Sequence, residues 1–251
     1  MSYEKDPLIL AIETATRAGS VALARGRELL GSVAGDAAAS HSNDLISSVD
    51  RILQHGGVKL ADVDLFAVAI GPGSFTGLRI GLATVKSFAV CTAKTCAGIS
   101  TLAAIAHAAG ESEATIALLP AGRGEVFAQL FSVHGAVVQE LDAAAHLTLE
   151  RVLEKYGEAR ELVWAGEGSH QQIEALRAEA KGRDISFSEV VGGSGKSRPG
   201  WRLAPPAGQL AASIAALALN GNGDTVSPDE LRASYVRASD AEINERWRRE
   251  T

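Results

Sequence analysis

Gly71-Pro72-Gly73-Ser74-Phe75-Thr76-Gly77 is the stretch on which the architecture turns. It follows the continuous apolar run Leu65-Phe66-Ala67-Val68-Ala69-Ile70, whose length predicts a buried strand. It precedes Leu78 to Cys91, where Leu78, Leu82, Val85 and Ala89 recur at helical spacing. Strand, glycine turn and helix together form an arrangement able to hold an anion. Glycines permit positive φ and the close approach of a ligand or of another chain, and the free N–H groups and dipole at a helix start favour negative charge. Gly71, Gly73, Ser74, Thr76 and Gly77 are therefore candidate anion- or nucleotide-contacting residues; a tight strand-to-helix connection without a ligand is the alternative. Spacing excludes two nucleotide motifs. The dinucleotide fingerprint G-x-G-x-x-G would need glycine at Thr76, and the phosphate loop G-x-x-x-x-G-K-[ST] would need lysine at Leu78. The similar string Gly192-Gly193-Ser194-Gly195-Lys196-Ser197 also fails, since Val190 occupies the place of the first glycine and no apolar strand leads into it. Its composition predicts a flexible surface loop.

Upstream of the turn, three strands are expected: Leu8 to Ile12, Gly19 to Ala24, and Glu28 to Ala34, the last two joined by a hairpin turn at Arg25-Gly26. A helix follows with a single apolar stripe, Leu45, Ile46, Val49, Ile52 and Leu53; Ser40 or Ser42 caps its start and Gly56-Gly57 ends it. Downstream, a short strand at Thr95 to Gly98 and a helix at Ser100 to Ala109 complete a first lobe at residues 1–110. Strands at Thr115 to Leu119, Glu125 to Val133, Ala136 to Glu140 and Leu162 to Ala165, with helices at Leu147 to Tyr156 and His170 to Ala180, form a second at 111–204. Residues 205–251 contain a helix from Pro205-Pro206 through Leu219, expected to return to the first lobe, and a charged tail. Mixed strands and helices in this order predict an α/β protein with helices packed on mixed sheets.

The chain has 251 residues, 46% of them hydrophobic, enough for one large domain or two modest lobes. Its apolar runs fall short of the roughly 18 residues a membrane span needs, and its start lacks the basic region and apolar core of a signal peptide, so a cytoplasmic protein is expected. Cys91 and Cys96, the only cysteines, have no zinc-site spacing. A formal net charge of -6 without a basic run argues against unaided binding of nucleic acid. The helix after the glycine turn is apolar on two sides: Leu78, Gly81, Leu82, Val85, Phe88 and Ala89 on one, Ile80, Ala83, Val90 and Cys91 on nearly the other. Its own sheet can cover one side only, which leaves the other for a neighbour.

The order of elements resembles the actin-like ATPase fold of acetate and sugar kinases, with two lobes each built on a mixed sheet. Five stretches together resemble the TsaB (YeaZ) family: Leu8-Ile9-Leu10-Ala11-Ile12-Glu13-Thr14, His41-Ser42, the turn extended through Leu78-Arg79-Ile80-Gly81, Gly124-Glu125-Val126-Phe127, and Tyr235-Val236-Arg237. That family is the dimerisation subunit of the bacterial machinery that makes threonylcarbamoyladenosine in tRNA. The resemblance implies a non-catalytic chain that pairs with a catalytic paralogue, TsaD, and works with a companion ATPase, TsaE. It further implies a homodimer when alone, and tRNA contact only through the complex. The expected partner face is Leu45, Ile46, Val49, Ile80, Ala83, Ser87 and Val90, two helices from each chain making a four-helix contact. The paralogue holds a metal through paired histidines in a G-V-N-H-L-E-G-H segment; laid over Gly98 to Ile105, it puts Thr101 and Ile105 at the ligand positions. Isoleucine cannot ligate and threonine ligates poorly, so no metal and no nucleotide is expected on this chain alone; ATP or ADP and a metal belong to partner subunits. His107 and Glu111, four residues apart, are the only substitute pair to weigh, and Glu13 is the one nucleotide-site acid assignable in the first lobe. Pro120 and Gly122 stand where the family pattern has an acid and an arginine, leaving Arg123 and Glu125, read as a solvent-exposed pair. The competing expectation is a free-standing actin-like kinase or ATPase. A peptidase is excluded, since no Ser/His/Asp constellation or HExxH string is present.

Overall fold

Two β-sheets and the helices between them organise the chain, in a computed structural model that describes residues 6–35, 41–190 and 199–236. In the first sheet β1 (Leu8–Glu13), β2 (Ser20–Arg25) and β3 (Glu28–Ala34) form an antiparallel meander. β4 (Leu65–Gly71) lies parallel to β1, and β5 (Thr95–Ser100) parallel to β4. The crossovers are α1 (His41–Gly56) and α2 (Phe75–Thr92). β1 is buried on both faces, which is why it reads as an unbroken apolar run rather than an alternation. Leu8, Leu10 and Ile12 pack beneath α1 and α2 with Leu45, Val49, Ile52, Leu82 and Val85. Ile9 and Ala11 face the opposite way, toward α3 (Thr101–Ala109) and α7 (Leu210–Leu219).

The second sheet runs β11-β12-β10-β6-β7-β8, with β9 also paired to β7. Its strands are β6 (Ser112–Gly122), β7 (Glu125–His134), β8 (Val137–Glu140), β9 (Ala145–Thr148), β10 (Leu162–Ala165), β11 (Phe187–Glu189) and β12 (Trp201–Leu203). α4 (Leu149–Tyr156), α5 (Glu167–Gln171) and α6 (Ile173–Gly182) belong to this half. Trp164 and Trp201, ring centroids 5.0 Å apart, anchor its outer core, where Val152 of α4 and Leu176 of α6 are also buried. α3 and α7 fill the space between the sheets and give both one continuous core, from Ile9 and Ala67 through Ile105 and Ile214 to Leu119 and Phe131. β13 (Thr225–Val226) then joins the edge of the first sheet beside β5.

Several boundaries differ from expectation for identifiable reasons. The helix expected from Leu147 begins at Leu149, because residues 145–148 pair with β7 and Thr148 caps the helix. The helix expected over His170 to Ala180 is two helices meeting at Gln172. The one expected from Pro205-Pro206 begins at Leu210, where the buried Ser20 hydroxyl accepts the Ala211 N–H at 3.0 Å. β9, β11, β12 and β13, each of four residues or fewer, lack a legible period of their own and exist through their neighbours. The α1 caps Ser40 and Ser42, most of the Gly/Ser-rich loop, Arg237 and the charged tail lie outside the described residues or side chains.

Candidate functional site

The glycine turn is filled by the chain itself. Ser74 caps α2, its hydroxyl accepting the Gly77 N–H at 3.2 Å, while the Ser74 N–H donates to Ala15 O at 2.8 Å. The Thr14 hydroxyl donates to Gly77 O at 2.8 Å. A Cβ on Gly77 would stand 1.9 Å from Thr14 O, one on Gly73 2.6 Å from Ala15 O, and one on Gly71 2.3 Å from Ser234 O. The close approach these glycines permit is therefore taken by the β1–β2 turn and by the backbone near Ser234. This corrects the expectation of a ligand cradle at Gly71, Gly73 and Gly77: Gly71 and Gly77 are buried, and only Ser74 and Thr76 are exposed. The seam brings β1, α2 and the C-terminal segment together at one end of the first sheet. There the Phe75 ring lies between Tyr235, at 5.4 Å, and the Arg79 guanidinium, at 3.8 Å.

α2 is buried along Gly77, Leu78, Gly81, Leu82, Val85 and Ala89. On the far side Ala83, Ser87 and Cys91 are exposed, Ile80 is half-buried and Val90 is 65% exposed. Ser87 fits this apolar face because its hydroxyl donates back to Ala83 O at 2.8 Å. From α1, Ile46 is 56% exposed, but Leu45 and Val49 are buried against the first sheet. Leu45 and Val49 thus drop out of the expected partner face. α1 carries one apolar stripe, and packing on β2 and β3 consumes it.

The cleft between the lobes, about 410 Å³, is lined from the first lobe by Glu13, Thr16 and Arg17 and from the second by Gly166, Glu167 and His170. The Glu13 carboxylate, buried at the end of β1, accepts the Thr16 N–H and hydroxyl, each at 2.7 Å, so it holds the β1–β2 turn. His170 donates from Nε2 to Ala204 O at 3.0 Å. Ile105, one of the two positions overlaid on the paralogue's metal ligands, sits on the cleft wall; Thr101 is fully buried at the start of α3. His107 is directed to Ser213 of α7, Nδ1 to Oγ 3.1 Å, and burial lowers its pKa. Its expected partner Glu111 is exposed, and among the described residues no three His, Cys, Asp or Glu side chains are grouped to hold a metal. Arg123 sits at φ 54° in the β6–β7 turn. Glu125 does not pair with it: the half-buried Glu125 carboxylate lies 3.0 Å from His146 Nε2, which corrects the reading of an exposed Arg123–Glu125 pair. Arg17, Glu167 and His170 escaped the sequence reading because no local pattern links them.

Two mixed sheets, a shared helical layer and a cleft between the lobes are the actin-like ATPase fold. The same fold appears in component A of the (R)-2-hydroxyglutaryl-CoA dehydratase of Acidaminococcus fermentans, TM-score 0.50 at 11% identity over 85% of this chain and 98% of that one. The family model described as TsaD, tRNA N6-adenosine threonylcarbamoyltransferase, matches residues 27–220. Within that wider family, this chain belongs to the TsaB (YeaZ) family. It is 36% identical over 123 residues to the tRNA threonylcarbamoyladenosine biosynthesis protein TsaB of Haemophilus influenzae, 47% of this chain and 51% of that protein. The chain spans about half the length of the curated relatives it matches. In three dimensions YeaZ from Pseudomonas aeruginosa covers more, 91% of this chain and 99% of its own, with TM-score 0.71 at 26% identity.

Proposed function

We propose that this chain is a non-catalytic subunit that pairs with the paralogue TsaD and supports threonylcarbamoyl transfer to the anticodon-adjacent adenosine of tRNA. The observation that carries the reading is the outer face of α2, where Ile80, Ala83, Ser87 and Val90, with Ile46 of α1, offer a mainly apolar surface bordered by Arg79 and Lys86. A stable interface takes about 800 Å² from each partner, and α2, 18 residues or about 27 Å long, supplies part of that. Ile46 and the exposed side of Tyr235 extend it. A second copy of this chain uses the same face when the paralogue is absent. Isoleucine at position 105 and a buried Thr101 leave metal binding, and the nucleotide, to TsaD and TsaE. With a formal net charge of -6, the chain meets tRNA only through the complex. Among the described residues no helix is long and apolar enough to cross a membrane, in keeping with work in the cytoplasm.

The test is reconstitution. The purified chain alone should neither hydrolyse ATP nor modify tRNA; with TsaD, TsaE and threonylcarbamoyl-adenylate it should be required for modification. ATP turnover or tRNA modification by the chain alone would instead assign it the free-standing enzyme role.

A further inference from the structure

The cleft between the lobes takes no part in the pairing just proposed, yet its lining has an order of its own. At about 410 Å³ it falls within the range of small-molecule sites, about 300–1,000 Å³. Its walls are apolar: Ile105 of α3, Leu119 of β6, Leu210 of α7, and Pro206-Ala207 of the loop before α7. Two exposed charges of opposite sign, Arg17 after β1 and Glu167 at the start of α5, belong to different lobes. Among the described residues neither has an ion-pair partner; Glu167 only accepts from the neutral Gln171 amide, at 2.9 Å. Among the described residues Arg17 is the one arginine of the lining and no lysine joins it, which gives a polyphosphate little positive charge to meet.

Largely apolar walls with one positive and one negative side chain exposed along the lining suit a ligand that joins both charges to an apolar body. We propose that the interlobe cleft binds a free α-amino acid with an apolar side chain. Its carboxylate meets the Arg17 guanidinium, its ammonium meets Glu167, and its side chain packs against Ile105, Leu119 and Leu210. Because the two charged contacts come from different lobes, such a ligand bridges them.

Calorimetric titration of the full chain with four probes tests this. L-Phenylalanine should bind, whereas phenethylamine, which lacks the carboxylate, and 3-phenylpropionate, which lacks the ammonium, should each bind about tenfold more weakly. Magnesium ATP should give no heat. Arg17→Ala should bring L-phenylalanine down to the level of phenethylamine without changing the latter, and Glu167→Gln should do the same relative to 3-phenylpropionate. Ala207→Trp, which fills the cleft from its loop, should abolish binding of all three at an unchanged melting temperature; if that variant melts early, the two exposed charge variants decide alone. The proposal is overturned if L-phenylalanine gives no binding at about 10 mM. It is equally overturned if the three phenyl compounds bind alike, if neither charge variant separates them, or if ATP binds more tightly than L-phenylalanine.

Discussion

Aspartate placed at Ala83 or at Val85 sits on one helix, two residues and about 200° apart, and the two substitutions should have opposite consequences. Val85 is fully buried between α2 and the first sheet. Replacing it removes about 1.5–3 kcal/mol of apolar burial and strands a carboxylate without a partner, which adds several kcal/mol more. Total stability in a domain of this kind is about 5–15 kcal/mol, so Val85→Asp should unfold the first lobe or leave it barely folded. Ala83 is exposed, and Ala83→Asp should change stability by no more than about 0.5 kcal/mol. If TsaD covers α2 as proposed, that carboxylate is taken out of water in the interface, at a cost of about 3–5 kcal/mol, or a loss in affinity of roughly a hundredfold to several thousandfold. Circular dichroism melts report the first effect; size-exclusion chromatography and calorimetric titration with TsaD report the second. The reasoning is refuted if Ala83→Asp binds TsaD as tightly as the parent, or if Val85→Asp melts with it.

Three further outcomes follow from particular contacts. Gly77→Ala, a change that inside a helix ordinarily stabilises by about 0.5–1 kcal/mol, should here destabilise by about 2 kcal/mol or more, because the new Cβ would lie 1.9 Å from Thr14 O; a raised melting temperature would contradict the packing role of the turn. Burial pushes the Asp142 carboxyl up, but hydrogen bonds from Lys155, Tyr156 and the Leu130 N–H outweigh it and hold the group below the usual carboxylate range. A depressed folded pKa means stability that is present above the unfolded carboxylate pKa and lost as pH falls through the folded one; urea melts should show Asp142→Asn weaker by about 1–3 kcal/mol at pH 7 and nearly level with the parent at strongly acid pH. Elemental analysis of the purified chain should find no stoichiometric transition metal, and one iron or zinc per chain would refute the overlay that sets Thr101 and Ile105 at ligand positions.

Local periodicity carried much of this protein in its residues. The doubly buried β1 and β4 read as continuous apolar runs, the angular spacing of α2 made it apolar on two sides, and the string from Gly71 to Gly81 pointed to the family. These features are written in neighbours along the chain, where residues three or four apart on a helix, or two apart on a strand, share a fate. What tertiary structure alone decided is which partner each feature meets. The glycine turn has the chemistry of an anion site, yet Thr14, Ala15 and Ser234, distant in sequence, occupy it. Leu45, Val49 and Ile46 look equivalent on the α1 helix, and only the position of β2 and β3 buries the first two and leaves the third outside. Arg17 and Glu167 stand 150 positions apart and line one cleft solely because α3 and α7 join the two sheets through a common core. Which face of an element is apolar is a property of its own pattern, whereas which residues on that face are buried, and which side chains from several elements converge on a site, is set by how the elements and lobes pack.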